Sequence, residues 1–162
     1  MNPSAVHPQP APNRHPLGLE MTFMAAGIQP TKQRLAVAQV LLQRPIHLTA
    51  EEVLAAARQH LPSISRATVY NTLQVLIDKG LIRALHLDAQ RTVYDSRPEA
   101  HPHLYHEDTG VLEDLPQDIQ QSLAQSLQIS PSLEILGMDL TVRVRRSACA
   151  TTQDGPLHRK SD

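Results

Sequence analysis

Two capped amphipathic helices in close succession constrain this chain more than any other feature. In "HLTAEEVLAAARQHL", Thr49 and Glu52 form a capping box, in which each side chain accepts the other residue's backbone N–H. Leu48, just before the cap, is placed to staple onto Val53. In "SRATVYNTLQVLIDKG", Ser65 supplies the cap, and Val69, Leu73, Leu76 and Ile77 line one side at helical spacing. Gly80 suits the left-handed residue that closes such a helix. An earlier run, "PTKQRLAVAQVLLQR", puts Leu35, Ala38, Leu41 and Leu42 on one face, and Pro45 stops it. Two β-like runs, "LIRALHL" and "RTVYDS", follow, joined by "DAQ". Three short helices and a hairpin predict a winged helix-turn-helix.

The remainder reads differently. "RPEA" is a plausible hinge. "HLYHED" and "VLEDL" flank Thr109-Gly110 as a second hairpin. "PQDIQQSLAQSL" predicts a helix with Ile119, Leu123 and Leu127 at spacings of four, and "MDLTVRVRR" alternates Leu140, Val142 and Val144 as a half-buried strand. A few strands and one helix over about 50 residues bury little apolar surface, so this part is expected to gain stability by dimerising. The fold class is therefore α+β. The expected order is a disordered tail (1–20), a winged-helix DNA-binding domain (21–95), a hinge (96–100), an α/β dimerisation and metal-sensing domain (101–147) and a flexible tail (148–162).

Bulk properties narrow the function classes. Aliphatic side chains must build the core, because aromatics are 2% of the 162 residues while hydrophobic residues are 41%. No apolar run approaches the roughly 20 residues that span a bilayer. The start, "MNPSAVHPQPAPNRHP", lacks the positive-then-apolar order of a secretory signal. A lone Cys149 excludes an internal disulfide and any CxxC zinc clamp. We expect a cytoplasmic protein with no membrane partner. Charge is uneven: residues 21–90 hold seven Lys/Arg against four Asp/Glu, and residues 96–147 hold four against eight. That split suits a polyanion for the first part and cations for the second.

On the third helix the outer side carries Arg66, Tyr70, Asn71 and Gln74. Asn and Gln pair bidentately with adenine, Arg suits guanine or phosphate, and a Tyr ring packs on a thymine methyl. Ser65 and Thr68 open the same helix, and Lys32 and Arg34 stand near the start of the first, where they can grip phosphates. The plainer alternative is an ordinary solvated helix face.

"AHPHLYHEDTGVLED" gathers three of the nine histidines among carboxylates. In an extended segment His101 and His103 point to one side, and Pro102 between them favours extension. Asp114 lies on the return strand, Asp95 ends the preceding hairpin, and His47 sits between the first two helices. A nitrogen–oxygen set without thiolate suits Fe(II), Mn(II) or Zn(II), and the harder members best. The bland reading is a solvated acidic loop with bystander histidines. His106, at odd spacing from His103, should face the other way.

"GIQPTKQR", "HLTAEEVL", "SRATVYNTLQVLIDKGLI", "TVYDS" and "HPHLYHEDTG" occur in the order and spacing of the ferric uptake regulator (Fur) superfamily, and the resemblance covers residues 20–146. It implies a homodimeric, metal-responsive regulator that binds palindromic double-stranded DNA, with an ion at the hinge between a winged helix and a dimerisation domain. The resemblance places His47, Asp95, His101 and His103 on the family's ligand positions, and Asp114 on the second acidic ligand of the peroxide-sensing (PerR) branch. Tyr70 falls on the recognition-helix tyrosine and Arg34 on an arginine near the start of the DNA-binding domain.

The departures point within the family. "YHEDTG" stands where the first cysteine pair of a structural, four-cysteine zinc would be, so no such zinc is expected. Ala100 and Pro102 replace the His and Asp of a second metal site, and Gln120 or Gln121 replaces a helix glutamate. The cysteine-free segment is similar to the iron response regulator (Irr) branch, some of whose members respond to haem. Its Cys-Pro haem motif is absent, since Ala150 follows Cys149.

The expected function is a metal-responsive regulator using Fe(II) or Mn(II), with Zn(II) acceptable to a purified sample. A haem-responsive regulator of iron homeostasis is the alternative. A small metalloenzyme is the third reading, since two His and one carboxylate suit an open iron site. It leaves the helix-turn-helix pattern unexplained, and no enzyme activity is expected.

Overall fold

The local signals that start and stop helices govern the first half. The computed structural model describes residues 16–130 and 132–147. The predicted tail at 148–162, with Cys149, and residues 1–15 lie outside the described residues. The chain divides into two units, Met1–Glu99 and Ala100–Asp162.

Among its described residues the first unit holds four helices, α1 (Pro16–Ala25), α2 (Lys32–Leu41), α3 (Ala50–His60) and α4 (Arg66–Asp78), and three strands, β1 (His47–Thr49), β2 (Arg83–His86) and β3 (Thr92–Asp95). The hydroxyl oxygen of Thr31 accepts from Arg34 N (3.3 Å), that of Thr49 from Glu52 N (3.3 Å) and that of Ser65 from Thr68 N (3.1 Å). Each satisfies a backbone donor that the first turn leaves without an intrahelical partner. The capping box at α3 is closed by Thr49 N donating to Glu52 Oε2 at 2.7 Å. Lys79 ends α4, and Gly80 follows at φ +63°, a conformation that costs a side-chain-bearing residue about 1 kcal/mol or more.

One apolar cluster joins all four helices: Leu19 and Phe23 from α1, Val37, Ala38 and Leu41 from α2, Val53, Leu54 and Ala57 from α3, and Val69, Leu73 and Leu76 from α4. Each fully buried Val, Leu or Phe is stabilised by about 1.5–3 kcal/mol relative to exposure. Two expectations change here. Helix α1 begins inside the stretch read as a tail through residue 20, because Leu19 and Phe23, four residues apart, are both buried. The wing is a three-stranded antiparallel sheet in the order β1-β3-β2, not a two-stranded hairpin. The added strand, β1, pairs His47 with Asp95 and Thr49 with Val93.

The second unit holds β4 (His103–His106), β5 (Leu112–Asp114), α5 (Gln117–Ser126) and β6 (Thr141–Val144). Strand β4 is central, antiparallel to β5 and parallel to β6. Gly110, at φ +71°, makes the turn between β4 and β5. Helix α5 buries none of its residues, and Ile119, Leu123 and Leu127 are exposed. Strand β6 corrects the expectation of a half-buried strand: Thr141, Val142 and Arg143 are exposed. It lies at the sheet edge, with β4 as its neighbour in the three-stranded order.

Candidate functional site

Strand register, rather than sequence proximity, assembles the donor groups. In the first unit β1 and β3 run antiparallel with His47 opposite Asp95. Their side chains meet, with His47 Nε2 3.6 Å from Asp95 Oδ1. Asp95 is fully buried, and its Oδ1 also accepts from Arg97 N at 2.8 Å. A buried carboxylate is tolerated where it is hydrogen-bonded and faces an imidazole or a cation.

The second unit brings together His101, His103 and Asp114. His103 pairs with Asp114 across the β4–β5 ladder. Leu115 N donates to Pro102 O at 2.8 Å, which continues the pairing past the end of the strands. The chain from His101 to His103 therefore runs on beside β5, and both imidazoles reach one side. Their ring centres lie 4.3 Å apart. Asp114 Oδ1 is 3.0 Å from His101 Nε2 and 3.8 Å from His103 Nε2. Both histidines are about as buried as core leucines, at 1% and 2% exposure, which sets them apart from bystanders on a solvated loop. His106 faces the other way and meets Glu113 at 3.3 Å.

Each unit thus carries an N/O donor set, one imidazole with one carboxylate and two imidazoles with one carboxylate. The set fits a divalent first-row ion of borderline or hard character. Gln120, one of the two glutamines read as replacing a helix glutamate, donates from Nε2 to Met138 O at 3.0 Å. It therefore ties α5 to the segment before β6.

The candidate DNA-facing residues all lie in the first unit. Arg66, Tyr70, Asn71 and Gln74 are exposed on α4, opposite the buried Val69, Thr72, Leu73 and Leu76. Ser65 and Thr68 are engaged with one another at the cap, with their hydroxyls 2.8 Å apart. Gln74 Nε2 donates to Asp78 Oδ1 one turn on, at 2.8 Å. Lys32 is exposed in the first turn of α2, and Arg34 Nη1 donates to Gln29 O at 3.2 Å. Arg34, Thr68 and Asn71 line one cleft of about 280 Å³ between α2 and α4.

Sequence reasoning missed Glu51. It stands beside the capping pair, yet its Oε1 accepts from Tyr70 Oη at 3.1 Å and lies 3.8 Å from Arg66 Nη1. The hydrogen bond to that carboxylate, then burial, raise the Tyr70 pKa above the usual phenol value. Burial, followed by the nearby Tyr70 and Glu51, raises that of Tyr94.

Comparisons with known proteins place the chain in a family. Residues 25–143 match the Ferric uptake regulator family. The chain is 35% identical over 89 residues to the peroxide-responsive repressor PerR of Staphylococcus aureus. That alignment takes in 55% of this chain and 60% of the repressor's length. Among solved structures, a zinc-bound manganese uptake regulator superposes with a TM-score of 0.66 at 24% identity, covering 80% of this chain and 98% of that one. The Vibrio cholerae ferric uptake regulator gives 0.67 at 23%, covering 79% and 99%. The Campylobacter jejuni peroxide stress regulator gives 0.55 at 25%, covering 80% and 93%. With a match over residues 25–143, the helix-wing order of the first unit and the sheet-and-helix second unit, the chain belongs to the ferric uptake regulator family.

Proposed function

We propose that this chain is a metal-responsive, DNA-binding transcriptional regulator that acts by binding rather than by catalysing a reaction. One divalent cation, Fe(II) or Mn(II), takes His47 and Asp95 from the first unit and His101, His103 and Asp114 from the second. The observation that carries the reading is the buried pair His101 and His103, with Asp114 Oδ1 within 3.0 and 3.8 Å of their Nε2 atoms. Two buried imidazoles converging with a carboxylate supply the nitrogen–oxygen donor set that a divalent first-row cation takes. Five residues separate Asp95 from His101 in the chain, so an ion holding both would restrict the hinge.

A restricted hinge lowers the entropic cost of presenting two α4 helices to the half-sites of a palindrome. Moving from mostly unbound to mostly bound needs about 5.5 kcal/mol of differential affinity, within reach of one multidentate ion. The partner is a second copy of the chain. The apolar side chains that α5 and its C-cap residue leave exposed, Ile119 at 40%, Leu123 at 39% and Leu127 at 46%, favour that assembly. Among the described residues no helix is long and apolar enough to cross a membrane.

Elemental analysis of protein purified without oxygen tests the metal. Near-stoichiometric iron or manganese, lost in His101→Ala and His103→Ala with the fold intact, is the expected result. Full retention in both variants would remove the site.

The finer reading is peroxide sensing, supported by the likeness to the Staphylococcus repressor and by a set with two carboxylates. Peroxide should then add an oxygen atom to a ligand histidine peptide in Fe(II)-loaded protein and not in Mn(II)-loaded protein. Equal oxidation of both, or of neither, would leave a metal regulator that does not sense peroxide.

A further inference from the structure

The face of α4 that would read DNA carries a negative charge that helix capping does not explain. The box at the start of α3 is complete with Thr49 and Glu52. The neighbouring Glu51 instead reaches α4, where its Oε1 accepts from Tyr70 Oη at 3.1 Å and lies 3.8 Å from Arg66 Nη1. All three side chains are exposed: the Arg66 side chain by 67%, that of Glu51 by 58% and Tyr70 by 41%. A carboxylate there opposes any approach of phosphate, which makes its presence on a polyanion-binding surface a cost unless it does something else.

Sequence-independent DNA binding comes almost wholly from Lys and Arg contacts to phosphate, while base-edge contacts specify. Arg66, paired with Glu51, must surrender that partner before it can serve phosphate. Tyr70, held through its hydroxyl, keeps its ring direction before DNA arrives, which lowers the ordering cost of base contact. The two effects act in opposite directions on non-cognate and cognate duplexes.

We infer that Glu51 is a positioning residue that sets DNA specificity: it orients Tyr70 and Arg66 for base reading and weakens phosphate-only binding. This rests on the DNA-binding reading above. The blander role for a carboxylate in the first turn is to favour the helix dipole. That role changes melting and leaves the ratio of cognate to non-cognate affinity unmoved.

The test uses the full-length, metal-loaded protein and two duplexes: one selected by the wild-type chain from a random pool, and a scrambled duplex of equal length and composition. Fluorescence anisotropy over a range of salt gives affinities and salt slopes for wild type and Glu51→Gln, which keeps an acceptor for Tyr70 but loses the charge. Glu51→Gln should bind the scrambled duplex about threefold tighter. Its salt slope should steepen by about 0.9, the signature of one more phosphate contact. Affinity for the selected duplex should rise less, so the specificity ratio falls. Tyrosine absorbance should also titrate at lower pH in the variant, showing that the contact with Tyr70 exists in solution. An unchanged ratio and slope in Glu51→Gln overturn the assignment while leaving DNA binding intact. Failure of the wild type to select any duplex overturns the DNA-binding reading, and this inference with it.

Discussion

The two units of this chain solve the same problem differently. The first closes its own core: eleven named residues from four helices pack into one cluster, and its large apolar side chains are mostly hidden. The second leaves α5 without a buried residue and exposes Leu133 at 67% and Leu136 at 92%. A lobe that completes its own core holds α4 in place unaided. A lobe with uncovered apolar surface depends on what it docks against, which suits the dimerising role proposed above.

The sharpest way to break this contrast is to cut the first core. Leu76, fully buried on α4, should cost about 2–5 kcal/mol when changed to alanine. Thermal melting should show that loss at every protein concentration. The second unit should answer differently. Leu123→Asp on α5 should leave the first unit's melting nearly unchanged and convert dimer to monomer in sedimentation. A melting temperature of the wild type that does not rise with concentration would contradict the dependence on a second copy.

Smaller effects sharpen the picture of the first unit. Thr49→Ala removes the hydroxyl that caps α3 and should cost about 1 kcal/mol in denaturant unfolding. The smallest expected effect is alkaline. Tyr70 and Tyr94 both have raised pKa values. Each folded phenol therefore holds its proton to a higher pH than the unfolded phenol does. The associated stability is fully present below the ordinary phenol value of 10.0 and is lost as pH rises through the folded values. Chemical unfolding followed from about pH 9 to 11 should show this loss, and Tyr70→Phe should remove its own share of it.

How much of this was legible in the sequence follows from how local each determinant is. Thr49, Ser65 and Gly80 announce helix ends because capping is settled within four residues. The i, i+2 spacing of His101 and His103 gave their shared side, and the turn at Thr109-Gly110 brought Asp114 opposite His103. Helix α1 was missed because "PLGLEMTFMA" scatters its apolar residues around the helix and shows no preferred face. Strand β1 has three residues and exists only through pairing with β3, more than forty residues on. Glu51 was missed because its contact with Tyr70 spans 19 residues between two helices, beyond any periodic pattern. The exposure of β6 was misread because alternation marks which residues share a face and says nothing about what covers that face.

The claim that metal occupancy governs DNA binding is tested most directly by one titration. Fluorescence anisotropy on a duplex selected by the chain itself, with Mn(II) and then with excess chelator, reads the coupling without oxidation chemistry. The account predicts tight binding with the ion, at least a hundredfold weakening on chelation, and recovery when the ion is restored. Equal affinity with and without metal, in a protein that still selects its duplex, would contradict it.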